Sequence, residues 1–173
     1  GNILNMKKKH FWYYPFILIG ILFMLTNSCE KDNDSSYNPI NGLSNAVFNS
    51  NLTYGTMTDQ NGNIYKTIVI GNQTWMAENL RTKKYNDGTT IPNVNNTSKW
   101  GNLTSAAFCT YNNTNNSDSI NTYGMLYNGY AIQTGKLAPI GWHIPTNEEW
   151  ETLITYLGGG NVGGKLKEIG TIH

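Results

Sequence analysis

The sequence has little charge, and this shortage excludes one class of protein. Only 13% of the 173 residues are charged and the formal net charge is +1, so the chain lacks the basic surface that nucleic-acid binding requires. We therefore expect no nucleic-acid partner. The low charge does not indicate disorder, because 39% of the residues are hydrophobic and 12% are aromatic, which is enough for a packed core. A chain of this length accommodates one domain.

The motifs of common catalytic centres are also missing. A zinc motif of the HExxH type needs two histidines one helical turn apart, and His143 stands alone. The glycines of "GGGNVGGK" lack the spacing and the Ser or Thr of a phosphate-binding loop. We expect a protein that is not an enzyme and that holds no metal ion and no other cofactor. Two interpretations of His143 remain, a packed or hydrogen-bonded strand residue and a metal ligand or base.

Residues 1–28 resemble a bacterial lipoprotein signal peptide. Three lysines follow Met6, and Phe11 to Leu25 is an apolar run that is shorter than the ~20 residues of a membrane-spanning helix. The following "LTNSC" resembles a loose lipobox, in which Cys29 is the residue that is lipidated after cleavage. Residues 1–5 precede the first methionine and are interpreted as extra sequence. An N-terminal membrane anchor is the alternative.

The segment after Cys29 predicts a surface location and a tether. The acidic "EKDND" resembles the signal that sends lipoproteins of Bacteroidota-type bacteria to the cell exterior, so we expect a lipid-anchored outer-membrane protein that faces outward. Residues 29–53 are rich in Asp, Asn, Ser and Gly and predict a flexible tether. If Cys29 is acylated, Cys109 has no disulfide partner in the chain. A buried, inert thiol is favoured there over a catalytic one.

The domain itself begins with strand signals. "GTMTD", "IYKTIVI" and "QTWMAENL" are separated by turns at Asn61-Gly62 and Gly71-Asn72, which predicts a three-stranded antiparallel meander. Further along, Leu126, Tyr127, Tyr130 and Ala131 share one face at helical spacing, so a helix that ends at Gly135 is expected.

The stretch "GWHIPTNEEWETLITYL", residues 141–157, has the composition of a catalytic cluster but the spacing of a helix start. Pro145 excludes the preceding residue from the helical region, and Thr146 and Glu149 form the pattern of a capping box. An apolar stripe follows at Trp150, Leu153, Ile154 and Leu157. Thr146 and Glu149 are therefore predicted to be a structural helix cap.

Several motifs together resemble one known family. They are "DQNGNIYKTIVIGNQTWMAENLRTKKYNDGTTIPNV", "YGMLYNGYAIQTGKLAPIGWHIPTNEEWETLITYLGG" and "VGGKLKE". The resemblance is to the Fibrobacter succinogenes major paralogous domain of secreted or lipid-anchored bacterial proteins, and it covers residues 54–173. It implies an α+β fold of the C-type-lectin-like kind, with small antiparallel sheets, two helices and long loops. "PTNEEW" is also similar to a helix start of the formylglycine-generating-enzyme group.

The chain departs from these families at identifiable positions. Family members often carry a cysteine where Ala138 stands, so the disulfide that it would form with Cys109 is not expected. The family also continues beyond "GTIH", which implies a domain that is incomplete at its C-terminus. The calcium and sugar signature of true C-type lectins is missing, since "IPN" at Ile91 to Asn93 lacks its acidic residue.

The polar segment from Arg81 to Thr122 is the expected place of a ligand site. Turn-rich segments of this length form surface loops, where binding residues concentrate. Aromatic faces bind sugar rings and amides hydrogen-bond to hydroxyls, which favours a surface module for adhesion or binding that recognises glycan or protein. A structural component of a surface appendage or capture complex is one alternative, and an enzyme related to the formylglycine-generating group is another. The candidate ligand-binding residues, for which simple loop packing is the alternative, are Trp100, Tyr111, Tyr85 and Asn112.

Overall fold

The fold is α+β, with small antiparallel sheets and short helices joined by long loops. The computed structural model describes residues 46–167 and one strand at residues 7–8. The strands are β1 (Lys7–Lys8), β2 (Tyr54–Thr58), β3 (Ile64–Ile70), β4 (Gln73–Met76), β5 (Phe108–Thr110), β6 (Met125–Tyr127) and β7 (Trp142–His143). The helices are α1 (Thr97–Gly101), α2 (Ser117–Tyr123), α3 (Gly129–Gln133) and α4 (Asn147–Tyr156), with 3-10 turns at Tyr111–Asn113 and Gly163–Leu166.

The predicted lipidation site lies outside the described residues, as does most of the predicted signal peptide and tether. The exceptions are β1 and the last part of the tether. There the ring of Phe48 packs edge-on against Tyr54, 5.4 Å away, and beneath the ammonium group of Lys66 at 3.9 Å. Contacts with the domain therefore include residues before β2.

The predicted meander is confirmed. β2, β3 and β4 pair antiparallel, and Ile68 is the partner of Tyr54 on one side and of Trp75 on the other. The first turn is fixed by the Asp59 carboxylate, which accepts hydrogen bonds from the main-chain N–H groups of Asn61 and Asn63. This turn needs a residue with positive φ, and Gly62 supplies it at +82°.

The described strands form two sheets. The larger sheet has the order β2-β3-β4-β1-β7, and the smaller one contains β5 and β6. β1 lies between β4 and β7, where Lys7 is the partner of both Trp75 and His143. In the smaller sheet Phe108 pairs with Tyr127 and Cys109 pairs with Leu126. The core lies between these elements and includes Tyr65, Met76, Leu80, Ile91, Phe108, Leu137 and Trp142.

The predicted helix through Leu126 and Ala131 is wrong in its first half. Residues 125–127 form β6, because they pair with β5, and the helix begins only after Asn128. The Asn128 side chain accepts a hydrogen bond from the Ala131 N–H and so caps the short α3. The expected stop at Gly135 is confirmed, at a φ of +67°.

The number of helices also differs from the prediction. Residues 46–167 contain four α-helices instead of the two that the resemblance implied. Two of them, α1 and α2, lie within the segment that was predicted as loop, and each is capped by an asparagine, Asn96 or Asn116. Local caps therefore convert parts of an otherwise irregular segment into short helices.

The predicted capping box at the start of α4 is confirmed. The Thr146 hydroxyl accepts from the Glu149 N–H at 3.3 Å, and the Glu149 carboxylate accepts from the Thr146 N–H at 3.1 Å. The stripe behind it is partly buried, with Leu153 in the core and the ring of Trp150 4.9 Å from that of Trp75. The cap thus positions a helix that packs on the larger sheet.

Thr146→Ala is expected to lower the free energy of unfolding by about 1 kcal/mol, since that is the usual cost of losing an N-cap side chain. Chemical denaturation monitored by circular dichroism measures the change. Thr152→Ala is the matched control, because its hydroxyl donates to the Glu148 carbonyl within the same helix and alanine has the higher helix propensity. Equal destabilisation by both substitutions would show that the cap contributes nothing specific.

A buried polar network connects β3 to the segment after β4. The Tyr65 hydroxyl donates to the Asp59 carboxylate at 2.7 Å and accepts from the Arg81 main-chain N–H at 3.0 Å. The Arg81 guanidinium lies 4.3 Å from the Tyr65 ring centre, donates to the Ile64 carbonyl at 2.7 Å and pairs with Glu78 at 3.7 Å. Burial, with the nearby Asp59 carboxylate, raises the pKa of Tyr65 far above its ordinary value. The hydroxyl is therefore protonated and acts as the donor to Asp59.

Candidate functional site

A cleft of about 220 Å³ opens among the loops between β4 and β6. Its lining comes from three stretches of the chain, namely residues 94–100, residues 109–113 and Leu126. Because these stretches are not contiguous and Leu126 reaches the cleft through the pairing of β5 with β6, the cleft depends on the tertiary fold and not on one local motif. Each stretch contributes a different kind of side chain.

The first stretch contributes an indole ring. Asn96 caps α1 by accepting a hydrogen bond from the Lys99 N–H at 2.9 Å, and Trp100 lies one residue further along this five-residue helix. Within residues 46–167 the Trp100 indole has neither a hydrogen-bond partner nor an aromatic ring against it. Its partly exposed ring therefore faces the cleft without an internal partner.

The second stretch contributes two side-chain amides. Asn112 and Asn113 both adopt the left-handed backbone conformation, with φ values of +51° and +53°, which asparagine tolerates better than most residues. The Thr110 hydroxyl donates to the Thr114 carbonyl at 2.7 Å and closes this turn. Neither amide has a hydrogen-bond partner within the described part of the chain, so both can bind a ligand in the cleft.

The small sheet contributes an apolar side. Cys109 and Leu126 are register partners across β5 and β6, so their side chains lie next to each other on one face. Val94 joins them, since its N–H donates to the Phe108 carbonyl at 2.9 Å. The thiol of Cys109 is free and buried, which confirms the predicted burial, and burial raises its pKa.

The cleft carries no charged lining residue. Its polar groups are amides and hydroxyls, and its apolar groups are one indole and three aliphatic or sulfur side chains. Nor do residues 46–167 contain a group of three or more His, Cys, Asp or Glu side chains that could hold a metal ion. What the cleft can do chemically is hydrogen-bond and stack against an uncharged group.

A family comparison identifies the domain that carries this cleft. The family model described as the Fibrobacter succinogenes major domain matches residues 68–170, which is more than half of the chain. The chain belongs to this family. No curated protein and no solved structure matches the chain. The match includes the whole lining of the cleft and the cap of α4. Among the described residues of this Fibrobacter succinogenes major domain, no helix is long and apolar enough to cross a membrane.

The domain brings two of the four predicted binding residues together. Trp100 and Asn112 line the same cleft. Tyr111 lies beside it, 52% exposed, with its ring 5.3 Å from that of Tyr123. Tyr85 is only 8% exposed and belongs to the core cluster, so the structure places it outside the cleft.

Sequence reasoning missed four polar residues of the cleft, Asn96, Thr97, Thr110 and Asn113. Two signals were present. "NTSK" has the pattern of a capped helix start, which places Asn96 and Thr97 ahead of Trp100. The doublet in "YNN" marks a turn that can adopt left-handed backbone conformations.

His143 is a hydrogen-bonded strand residue in this family domain. Its Nε2 lies 2.7 Å and 2.9 Å from the two carboxylate oxygens of Glu149. Glu149 thus serves the helix cap and the histidine together, a pairing that the sequence analysis did not predict. His143 is not among the lining residues of the cleft.

A second concavity, of about 580 Å³, runs along the exposed surface of α4. Its lining is Glu148, Glu151, Thr152, Thr155 and Tyr156. All five residues come from one helix, so no other element of the described chain closes over the concavity. The cleft at Trp100 is the better candidate, because separate elements converge on it.

Proposed function

We propose that this Fibrobacter succinogenes major domain is a non-catalytic binding or adhesion module, and that the cleft at Trp100 is its ligand site. The observation that carries the proposal is that an indole and two exposed side-chain amides, none with a hydrogen-bond partner among the described residues, meet in one uncharged cleft. An indole face stacks on the apolar face of a sugar ring, and amides hydrogen-bond to its hydroxyls. Glycan is the favoured ligand class, and a protein loop is the alternative.

The size of the cleft restricts how the ligand binds. Its volume of about 220 Å³ is below the roughly 300–1,000 Å³ of pockets that enclose a drug-sized ligand. One ring or one side chain fits at a time. The module therefore recognises the end of a chain or one protruding unit, and affinity for a surface comes from many copies acting together.

The chemistry of the lining favours binding over catalysis. Cys109 is the only nucleophilic thiol there, and the lining contains no His, Lys or carboxylate that could take its proton. Its raised pKa keeps it a thiol at neutral pH, whereas nucleophilic catalysis needs the thiolate.

The proposed setting is the outer membrane, with the lipid anchor at Cys29 and the domain facing the cell exterior. Cleavage before Cys29 removes β1, so the sheet order with β1 between β4 and β7 is that of the uncleaved chain. The sequence pattern from residue 6 to residue 34 supports this setting, and a C-type-lectin-like arrangement is the proposed finer description of the fold. Protease treatment of intact cells tests the display. Degradation of the domain supports it, and full protection would overturn that part of the proposal.

A glycan-array screen of the full-length protein tests the binding function. We expect Trp100→Ala to weaken any genuine hit about tenfold or more, which corresponds to roughly 1.4 kcal/mol, because it removes the stacking surface. Tyr130→Ala is the matched control, since Tyr130 is 44% exposed but does not line the cleft. Unchanged binding by the Trp100→Ala protein would place the ligand site elsewhere.

A further inference from the structure

We infer that the cleft selects a sugar ring that carries an acetamido group over the corresponding plain hexose. This inference rests on the proposed binding function and names the ligand class of the same site. The reason for the inference is that the cleft has a polar side and an apolar side, and an acetamido group has a polar part and an apolar part. Its N–H and carbonyl are polar, whereas its methyl group is apolar.

The polar side matches the amide of such a group. The side chains of Asn112 and Asn113 each offer a carbonyl acceptor and an N–H₂ donor, and the described chain leaves both unpartnered. An acetamido N–H can donate to one of these carbonyls while its C=O accepts from an amide N–H₂. A plain hexose places one hydroxyl at the same position, which can make the same kind of bonds but has no group for the apolar side.

The apolar side matches the methyl group. Cys109 and Leu126 are adjacent across the small sheet, and Val94 lies beside them. A methyl group that contacts these three side chains leaves water, and removing apolar surface from water is favourable. A plain hexose has no group that reaches these side chains, so it leaves their apolar surface in contact with water.

The uncharged lining should also discriminate against sugars that carry a charge. A sugar with a free amine carries an ammonium group at neutral pH, and the lining has no carboxylate to pair with it. A sugar acid likewise meets no cation there. The expected order of affinity is therefore acetamido sugar first, plain hexose second and amino sugar last.

Titration of the full-length protein with four methyl glycosides tests the inference. The probes are those of N-acetylglucosamine, N-acetylgalactosamine, glucose and glucosamine, and isothermal calorimetry measures the affinities. We expect at least one acetamido sugar to bind about tenfold more tightly than glucose. Leu126→Ala should weaken acetamido binding more than glucose binding and so reduce this ratio, because the methyl contact is lost. Asn112→Ala should weaken both.

Alkylation of Cys109 gives a readout that does not depend on calorimetry. In the full chain carrying Cys29→Ser, Cys109 is the sole remaining cysteine. At an alkaline pH, where part of this thiol ionises despite its raised pKa, an acetamido sugar in the cleft should slow its reaction with iodoacetamide. Glucose at equal concentration should slow it less.

The outcomes separate the inference from the proposed function. Equal affinities for acetamido sugar and glucose, both lost in Trp100→Ala, would overturn the inference and leave the glycan-binding function standing. Acetamido binding that persists in both Trp100→Ala and Leu126→Ala would overturn the assignment of the site. Failure of all four sugars to bind or to protect Cys109 would overturn the inference, and the array would then decide whether the module binds another class of ligand.

Discussion

Replacing Arg81 with alanine is expected to lower the free energy of unfolding by about 3–5 kcal/mol, the usual cost of removing one partner from a buried ion pair. Both members of the Arg81–Glu78 pair are almost fully buried, with side-chain exposures of 2% and 3%. The substitution removes the Arg81 guanidinium from the Glu78 carboxylate, 3.7 Å away, and removes one hydrogen bond to the Ile64 carbonyl. It also removes the guanidinium from the face of Tyr65.

Urea denaturation measures this loss, and an exposed ion pair provides the control. Lys136 and Asp87 are also an ion pair, with 2.9 Å between them, but their side chains are 55% and 36% exposed. Lys136→Ala should leave the denaturation midpoint unchanged, because water already solvates both groups. An equally small loss of stability for Arg81→Ala and Lys136→Ala would contradict our argument that burial makes the Arg81–Glu78 pair important for stability.

A double variant tests whether the charge or the packing of Arg81 matters more. Arg81→Met combined with Glu78→Gln removes both charges and keeps most of the volume. Its loss should be smaller than the sum of the losses from the two single substitutions, since both members of the Arg81–Glu78 pair are removed together. Additive losses would show that the two side chains stabilise the fold independently.

The buried network is also connected to the candidate site. Arg81 begins the segment that forms most of the cleft, and the next residue, Thr82, accepts a hydrogen bond from the Tyr127 hydroxyl at 2.7 Å. Tyr127 is in β6, the strand that carries Leu126. The core network thus holds both ends of the loop region in place.

Sequence patterns predicted the parts of this fold that local interactions determine. The Asn61-Gly62 turn, the first hairpin of the meander and the Thr146 cap each depend on residues at most 14 positions apart. In such cases the local preference and the tertiary structure agree. The helical pattern at Leu126 and Ala131 gave a wrong prediction, because residues 125–127 pair with the distant strand β5.

The candidate site was only partly predictable, for the same physical reason. Trp100 and Tyr85 have similar polar neighbours in the sequence, yet one lines a cleft and the other is in the core. Their different positions arise from packing between distant segments, and the local composition does not report this packing. The pairing of His143 with Glu149 is similar, since Pro145 separates a strand residue from a helix residue and the fold brings the two side chains together.

Gly124→Ala is expected to be the second strongly destabilising substitution, and it also bears on the site. Gly124 has φ +69° and ψ −154°, a conformation that costs other residues about 1–3 kcal/mol. An added Cβ would lie 2.6 Å from the Asn79 Cβ and 2.7 Å from the Leu80 carbonyl oxygen. That oxygen accepts the hydrogen bond from the Met125 N–H, at 2.9 Å, with which β6 begins. The clash therefore displaces the strand that lines the cleft.

Gly88→Ala separates the two causes of this loss. Gly88 also has a positive φ, +86°, but an added Cβ would meet no atom within 4 Å. The Gly88→Ala protein should show only the cost of the backbone conformation. The difference between the urea midpoints of Gly88→Ala and Gly124→Ala therefore measures the contact of the added Cβ with Asn79 and Leu80. Sugar binding should weaken in Gly124→Ala under conditions where the protein is still folded, and it should be unchanged in Gly88→Ala. Equal midpoints for the two variants would show that Asn79 and Leu80 move aside, and the link between this glycine and the cleft would then be lost.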